Sequence, residues 1–301
     1  NDVSININCA DIYRLNSEGL KMRTPFVSVG LNTKTSVRTV DGSEIVESYS
    51  IPFDNNDYDE ASIEAYLREF AETMILKSKA KTVNDFYIGP ILLERQAVAY
   101  SFNTIVQNYG SAQNTWDMYS RMYNYQNSGN DRLTGGLILG KRFLDPKLSI
   151  HLLSDLEEYD GVKLGGSYEY DYEGIRPEKD FVLVEKGILK RLMSGRTPGV
   201  GSEGPTGHSM PALYSTTPNI RMTTMHVTCD KTVPLSKRKG QLIAEAKKAG
   251  LDHTYMLRNI AYNCYVLTCI DVKTGEETVI HGNTPSFERR ELMHVISASK
   301  E

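Results

Sequence analysis

The feature that most limits how this chain can fold is a sustained two-residue alternation. Val27, Val29, Leu31, Thr33, Thr35, Val37 and Thr39 occupy every second position, and after Asp41-Gly42 the alternation resumes at Ile45, Glu47, Tyr49 and Ile51. Successive side chains of a strand point to opposite faces, so each run presents one face for burial. Asp-Gly between two such runs predicts a hairpin closed by a two-residue turn. Strands this long need a wide sheet or a barrel beside them.

The rest of the chain follows the same logic. Cys9 to Leu15 reads as a strand ending in the turn Asn16-Ser17-Glu18-Gly19. Ile63, Tyr66, Leu67, Phe70, Met74 and Ile75 form a helical stripe preceded by the capping-type residues Asp59 and Ser62. After Gly89-Pro90 a second helix is expected from about Glu94 to Tyr109. Asn108 to Arg132, tyrosine-rich and holding Trp116, reads as an exposed excursion. Leu148, Ile150 and Leu152 alternate as a strand. Phe181–Val184 and Ile188–Met193 make a second hairpin across Lys186-Gly187. Gly195 to Thr217 is loop by composition, Arg221 to Cys229 a strand, and Leu235 to Ala249 a helix stopped by Gly250. Ile260–Val272 and Glu276–His281 make a third hairpin, and Ser286 to Ser297 a final helix. Hairpins with few, separated helices predict an α+β fold: a large, mostly antiparallel sheet or barrel-like core with flanking helices. The chain is read as one region, 1–301, with a subdivision into 1–140 (hairpin plus helices) and a β-rich 141–301.

Charge narrows the partners. With 34 Lys+Arg against 38 Asp+Glu and no basic run, the chain lacks the concentrated positive charge of a phosphate-backbone binder. No stretch approaches eighteen consecutive apolar residues, so no transmembrane helix is expected. Neither nucleic acid nor membrane is therefore an expected partner. The four cysteines are too few for a disulfide framework and read as free, buried thiols. The opening Asn1-Asp2-Val3-Ser4-Ile5 has no initiator Met and no basic, apolar leader. It reads as a processed or internal start, which leaves the compartment open with the cytoplasm favoured.

Metal ligation needs converging His, Cys or carboxylate groups. His151, His208, His226, His253, His281 and His294 each stand alone, and Cys264 and Cys269 point to opposite faces of a predicted strand. No metal, cofactor or catalytic residue is assigned. Gly204-Pro205-Thr206-Gly207-His208-Ser209 offers loop amides and a serine beside a histidine. It lacks the Gly-x-Ser-x-Gly elbow, however, and is read as a loop over a cleft, with His208 and Ser209 as groove candidates. The tyrosines between Asn108 and Asn127, accompanied only by Arg121, suit a protein or peptide contact better than nucleic acid.

Several segments, in this order, carry a resemblance: Asn16-Ser17-Glu18-Gly19, Gly89-Pro90-Ile91-Leu92-Leu93, Asp171-Tyr172-Glu173-Gly174-Ile175, Val184-Glu185-Lys186-Gly187-Ile188-Leu189-Lys190, Pro205-Thr206-Gly207 and Arg221-Met222-Thr223. Together, from about Asp11 to Ala298, the chain resembles the TldD/PmbA family, peptidase-related proteins once described as modulators of DNA gyrase. The resemblance implies a β-rich fold in which two subunits enclose a chamber admitting unfolded peptide. In active members a His-Glu-x-x-x-His helix and a later Cys bind zinc, and the Glu is the general base. Set on the expected helix, that motif places Arg95 and Tyr100 at the histidines and Gln96 at the Glu. A shift by one residue places Glu94 and Ala99 at the histidines. A guanidinium does not ligate zinc and an amide is no base. The Cys ligand would lie beyond Glu301, and the first domain of a full member before Asn1.

The expectation is thus a peptidase-related, non-catalytic protein, serving proteolysis or peptide maturation, that holds an extended peptide at a sheet edge or partners a metal-bearing subunit. Arg95, Gln96, Tyr100, His208 and Ser209 are the groove candidates. Partners would be a peptide or unfolded segment and a second subunit, in a homodimer or heterodimer. The alternatives are an active zinc peptidase with ligands from scattered His and Cys or a partner chain, and a self-associating β scaffold.

Overall fold

The computed structural model describes residues 2–54, 60–83, 86–112, 138–197, 199–211, 218–261, 264–282 and 287–300. The alternating segment is a three-stranded antiparallel meander of β1 (Asp2–Leu15), β2 (Lys21–Arg38) and β3 (Glu44–Asp54). β1 pairs with β2 along its whole length, from Asp2 opposite Lys34 to Leu15 opposite Lys21. The β2–β3 turn takes Thr39–Ser43 rather than two residues, with the Thr39 N–H donating to Ser43 O at 2.9 Å. The Asp41 carboxylate accounts for the longer turn. It accepts from the Ser43 N–H at 3.2 Å and from the Thr82 N–H at 2.8 Å, tying the loop tip to the strand after the first helix.

That helix, α1 (Glu60–Ser78), lies on the apolar face of the meander. Phe70 and Met74 join Leu31, Tyr49 and Ile51 in one cluster that also takes in Ile260 and Cys264, and Tyr49 stacks on Phe70 at 5.3 Å. Lys77, one turn on, is buried. Its ammonium pairs with the buried Glu47 carboxylate of β3 and sits 4.4 Å from the Tyr265 ring centroid.

β4 (Lys81–Thr82) and β5 (Ile91–Arg95) precede α2 (Gln96–Tyr109). The helix expected from Glu94 therefore starts two residues later. Glu94 and Arg95 belong to β5 because its parallel ladder runs on until Arg95 faces Asn259, and Arg95 then turns the chain at φ 56°.

Six short strands follow: β6 (Leu148–Leu153), β7 (Glu158–Tyr159), β8 (Val162–Lys163), β9 (Asp180–Glu185), β10 (Ile188–Leu189) and β11 (Ser209–Pro211). Then come β12 (Pro218–Ile220), β13 (Thr224–Cys229), β14 (Thr232–Val233), α3 (Arg238–Lys248), β15 (His253–Ala261), β16 (Cys264–Asp271), β17 (Glu277–His281) and β18 (Ala298–Ser299). The loop expected over Gly195–Thr217 thus carries β11, which pairs with β12. β15 adds a strand that the hairpin reading began only at Ile260.

Two larger sheets result, ordered β10-β9-β6-β13 and β4-β17-β16-β15-β5. The pairs are mostly antiparallel and the helices few, as an α+β fold requires. Among the described residues no sheet closes on itself. α2 joins the two larger sheets: Ala97 packs with Tyr255 and Leu257, while Phe102, Ile105 and Val106 enter the cluster of Leu148, Ile150, Leu152 and Phe181.

The final helix expected over Ser286–Ser297 reduces to a short turn at Glu291–Met293. Tertiary bonds take its backbone groups: the Asp145 N–H donates to Leu292 O at 2.9 Å, and the Val295 N–H donates to the Asp145 carboxylate at 3.1 Å. The four cysteines are free. Burial pushes the Cys264 thiol up to about 12. Of the four, only Cys264 shows the expected burial: Cys229 and Cys269 are half-buried, and Cys9 is exposed on an edge strand. Among the described residues no helix is long and apolar enough to cross a membrane.

Lys77→Met leaves the Glu47 carboxylate buried without its counter-ion and is expected to cost about 3–5 kcal/mol in urea unfolding. The double variant Lys77→Met/Glu47→Leu is expected to recover most of that loss.

Candidate functional site

The loop between β10 and β11 is held by a hydroxyl with three partners. Thr206 Oγ1 donates to Ser194 O at 3.0 Å, accepts from the Ser194 N–H at 2.8 Å and lies 2.9 Å from His208 Nδ1. With its one hydrogen given to the carbonyl, Oγ1 accepts from the imidazole, so the His208 proton is on Nδ1. Nε2 then carries a bare lone pair, buried with no partner among the described residues. The Phe181 ring meets the imidazole edge-on at 5.0 Å. Burial drives the His208 pKa down to about 4, which keeps the ring neutral near pH 7.

Ser209 is equally buried, and Asp171 fixes its backbone. One Asp171 carboxylate oxygen accepts from the Glu173 and Ile175 N–H groups, both at 2.9 Å, and the other from the Ser209 N–H at 3.0 Å. Gly207, at φ +76°, has room for nothing larger: a Cβ would lie 2.5 Å from Pro177 N. The β1–β2 loop reaches the same place. Arg14 lies over the Tyr172 ring, Glu18 pairs with Arg196, and Leu20 packs beside Gly174.

In front of this scaffold is a pocket of 160 Å³ walled by Leu139, Arg191, Leu192, Glu203, Gly204 and Thr206. Arg191 forms a fork with Glu178 at 2.7 and 2.9 Å, and that guanidinium holds the Glu178 carboxyl below its usual range. The volume suits a single side chain, being below that of an ordinary small-molecule site.

The five groove candidates divide between the two ends of α2. Arg95 pairs with Glu69 of α1 at the N-terminal end, followed by Gln96 on the exposed first turn and the half-buried Tyr100. His208 and Ser209 connect through Thr206 and Ser194 to Met193, whose N–H donates to Gly110 O just beyond the C-terminal end. A 14-residue helix is roughly 20 Å long, so the two groups do not share one surface. Trp116 and the tyrosines expected at the excursion (Tyr119, Tyr123 and Tyr125) lie outside the described residues.

A depression that the sequence reading did not single out lies on the five-stranded sheet. It measures 350 Å³ and is lined by Val83, His253, Tyr255, Cys269, Asp271, Glu276, Thr278 and Ile280. Tyr255, one of the lining residues, is met edge-on by Tyr87 at 4.6 Å. Its strand residues sit two apart on β15, β16 and β17, so the signal was the alternation His253, Tyr255, Leu257.

Residues 90–258, more than half of the chain, match the family described as PmbA/TldA metallopeptidase C-terminal domain. The chain belongs to this family. Among solved structures, TldE from Thermococcus kodakarensis superposes with a TM-score of 0.60 at 14% identity, covering 95% of this chain and 60% of that one. A candidate modulator of DNA gyrase from Bacteroides thetaiotaomicron gives 0.52 at 15% identity, covering 89% and 54%. At such identities these likenesses speak for the fold, and the chain spans little more than half of either length. No curated protein matches the chain.

A PmbA/TldA metallopeptidase needs donors for an ion. The α2 sequence QAVAYSFNTIVQNY holds no His, Cys, Asp or Glu, so no register of a His-Glu-x-x-x-His motif fits it. With Arg95 in β5, the expected Arg95–Tyr100 spacing does not even run along one helix. Among the described residues no group of three or more His, Cys, Asp and Glu side chains comes together to hold a metal. The residues of this site do not fit zinc.

Unfolded His208 takes up a proton near pH 6.5, whereas the folded residue resists until about 4. Between these values the unfolded chain binds more protons, so stability falls as pH drops, by about 3 kcal/mol over the window. His208→Asn, which keeps an N–H for Thr206, is expected to remove that part of the pH dependence in denaturation curves. Gly207→Ala is expected to lower stability by more than about 2 kcal/mol at any pH.

Proposed function

We propose that this chain is a peptidase-related, non-catalytic PmbA/TldA protein that holds a segment of extended polypeptide. The observation that carries the reading is the side-chain content of α2, where a metallopeptidase of the family would need ligands and this helix supplies amides, hydroxyls and apolar groups. None of these is a zinc ligand or a general base near neutral pH.

The aromatic-floored depression on the five-stranded sheet suits the holding role. Tyr255, Val83 and Ile280 offer an apolar seat, and Asp271, Glu276 and Thr278 a polar rim. An anchoring side chain would be seated there while its backbone stays extended.

Two measurements test this. After equilibration with zinc and desalting, elemental analysis is expected to find well below one zinc per chain. Stoichiometric zinc, or hydrolysis of unfolded casein that a chelator abolishes, would overturn the non-catalytic reading. Thr278→Trp fills the depression from its exposed rim and is expected to weaken binding of unfolded, reduced casein about tenfold, a loss of roughly 1.4 kcal/mol, at an unchanged urea midpoint. Unchanged binding would remove the depression from the reading.

A further inference from the structure

Two histidines that lie far apart in the sequence meet on the outer face of the sheet ordered β10-β9-β6-β13. In the antiparallel β6–β13 ladder His151 stands directly opposite His226. Their neighbours fix the face. Ile150 and Leu152 of β6 and Met225 and Val227 of β13 pack into the core cluster, so His151 and His226, which alternate with them, point the other way. Both are half-buried. Facing residues of an antiparallel pair have Cβ atoms about 4.5–5.5 Å apart, so the two imidazoles share one patch of surface.

A carboxylate orients one of the rings. His151 Nδ1 lies 2.7 Å from Asp180 Oδ1. A carboxylate only accepts, so Nδ1 carries the hydrogen, and in the neutral ring Nε2 keeps its lone pair. The β6–β9 ladder shifts register at this point, so that His151 faces Val182, and Asp180, two residues along β9, shares that face. Tyr159 of β7 lies against the other ring, its centroid 5.7 Å from that of His226. An imidazole that gives one N–H to a carboxylate and keeps the other nitrogen bare is the arrangement of a metal ligand with its outer partner.

We propose that His151 and His226 together bind a divalent transition-metal ion, with Asp180 as the positioning residue. Two nitrogens bound to one ion at about 2.0–2.1 Å lie about 3 Å apart, within reach of rings on facing strand positions. Among the described residues no group of three or more such donors forms, so water completes the coordination. Imidazole donors without thiolate suit Cu2+, Ni2+ and Zn2+, and Cu2+ stands highest in the order of affinity. Mg2+ takes oxygen ligands and does not compete. A site with two protein donors exchanges its ion with solution and releases it on desalting. Neither the zinc content of desalted protein nor the peptide-holding reading therefore bears on it.

The test uses the 301-residue chain with Cu2+ alone as the probe. Equilibrium dialysis is expected to show saturable Cu2+ binding that Zn2+ displaces and Mg2+ does not. At one equivalent, the electron paramagnetic resonance spectrum is expected to carry the splitting of two imidazole nitrogens. His151→Asn and His226→Asn are each expected to weaken binding by about tenfold or more and to reduce the splitting to that of one nitrogen. Their urea midpoints without metal are expected to match that of the unsubstituted chain, since both rings lie on the outer face. Asp180→Asn, which leaves both ligands in place, is expected to weaken binding about tenfold while the two-nitrogen splitting remains. Absence of saturable binding would overturn the proposal. So would affinity that survives both histidine variants, or a single-nitrogen spectrum from the unsubstituted chain.

Discussion

Strands that alternate apolar and polar residues leave a sheet with one face to be kept from water. In this protein α1 has that task for β1–β3. A helix about 10 Å across covers two strands spaced about 4.8 Å apart, but not a third. The helix sits over β2 and β3, where Phe70 and Met74 close on Leu31, Tyr49 and Ile51. Lys77 and Glu47 fix its position, because a buried ion pair tolerates no slippage that would leave one charge unmatched. Ile260 and Cys264 join the same cluster, so the seating of α1 also decides how the meander meets the five-stranded sheet. On β1, outside that cover, Val3, Ile5 and Ile7 stay exposed.

Much of the fold was legible where one local rule dominates. The alternation from Val27 to Ile51 marked the β2–β3 hairpin, though not its longer turn or the start of β1 at Asp2, and Lys186-Gly187 marked a tight hairpin with both residues at positive φ. Local rules failed where distant groups competed for the backbone. Glu94 and Arg95 carry no mark that separates strand from helix, and it is the parallel ladder with β15, some 160 residues away, that keeps them extended. The segment ending at Ser297 has a helix-like apolar spacing, yet Asp145 and Lys147 capture its amides and carbonyls before a helix can use them.

The site shows the same division. Its glycines and prolines announced a loop, but nothing local said that His208 would face inward or that Asp171 would hold the Ser209 backbone. Its neutrality follows from Phe181 and the surrounding sheet, which are contacts of the fold and not of the sequence neighbourhood. The depression on β15–β17 stayed hidden for a related reason: three strands must come into register before His253, Tyr255, Cys269 and Thr278 share a surface.

The β1–β2 ribbon has two attachments. α1 packs on β2, and at the loop end Arg14 and Leu20 touch the turn that carries Asp171 while Glu18 pairs with Arg196. At about 3.3 Å per residue, the 18 residues of β2 make a beam of roughly 60 Å. One ribbon therefore joins the sheet that α1 covers to the turn whose Asp171 seats the Ser209 backbone.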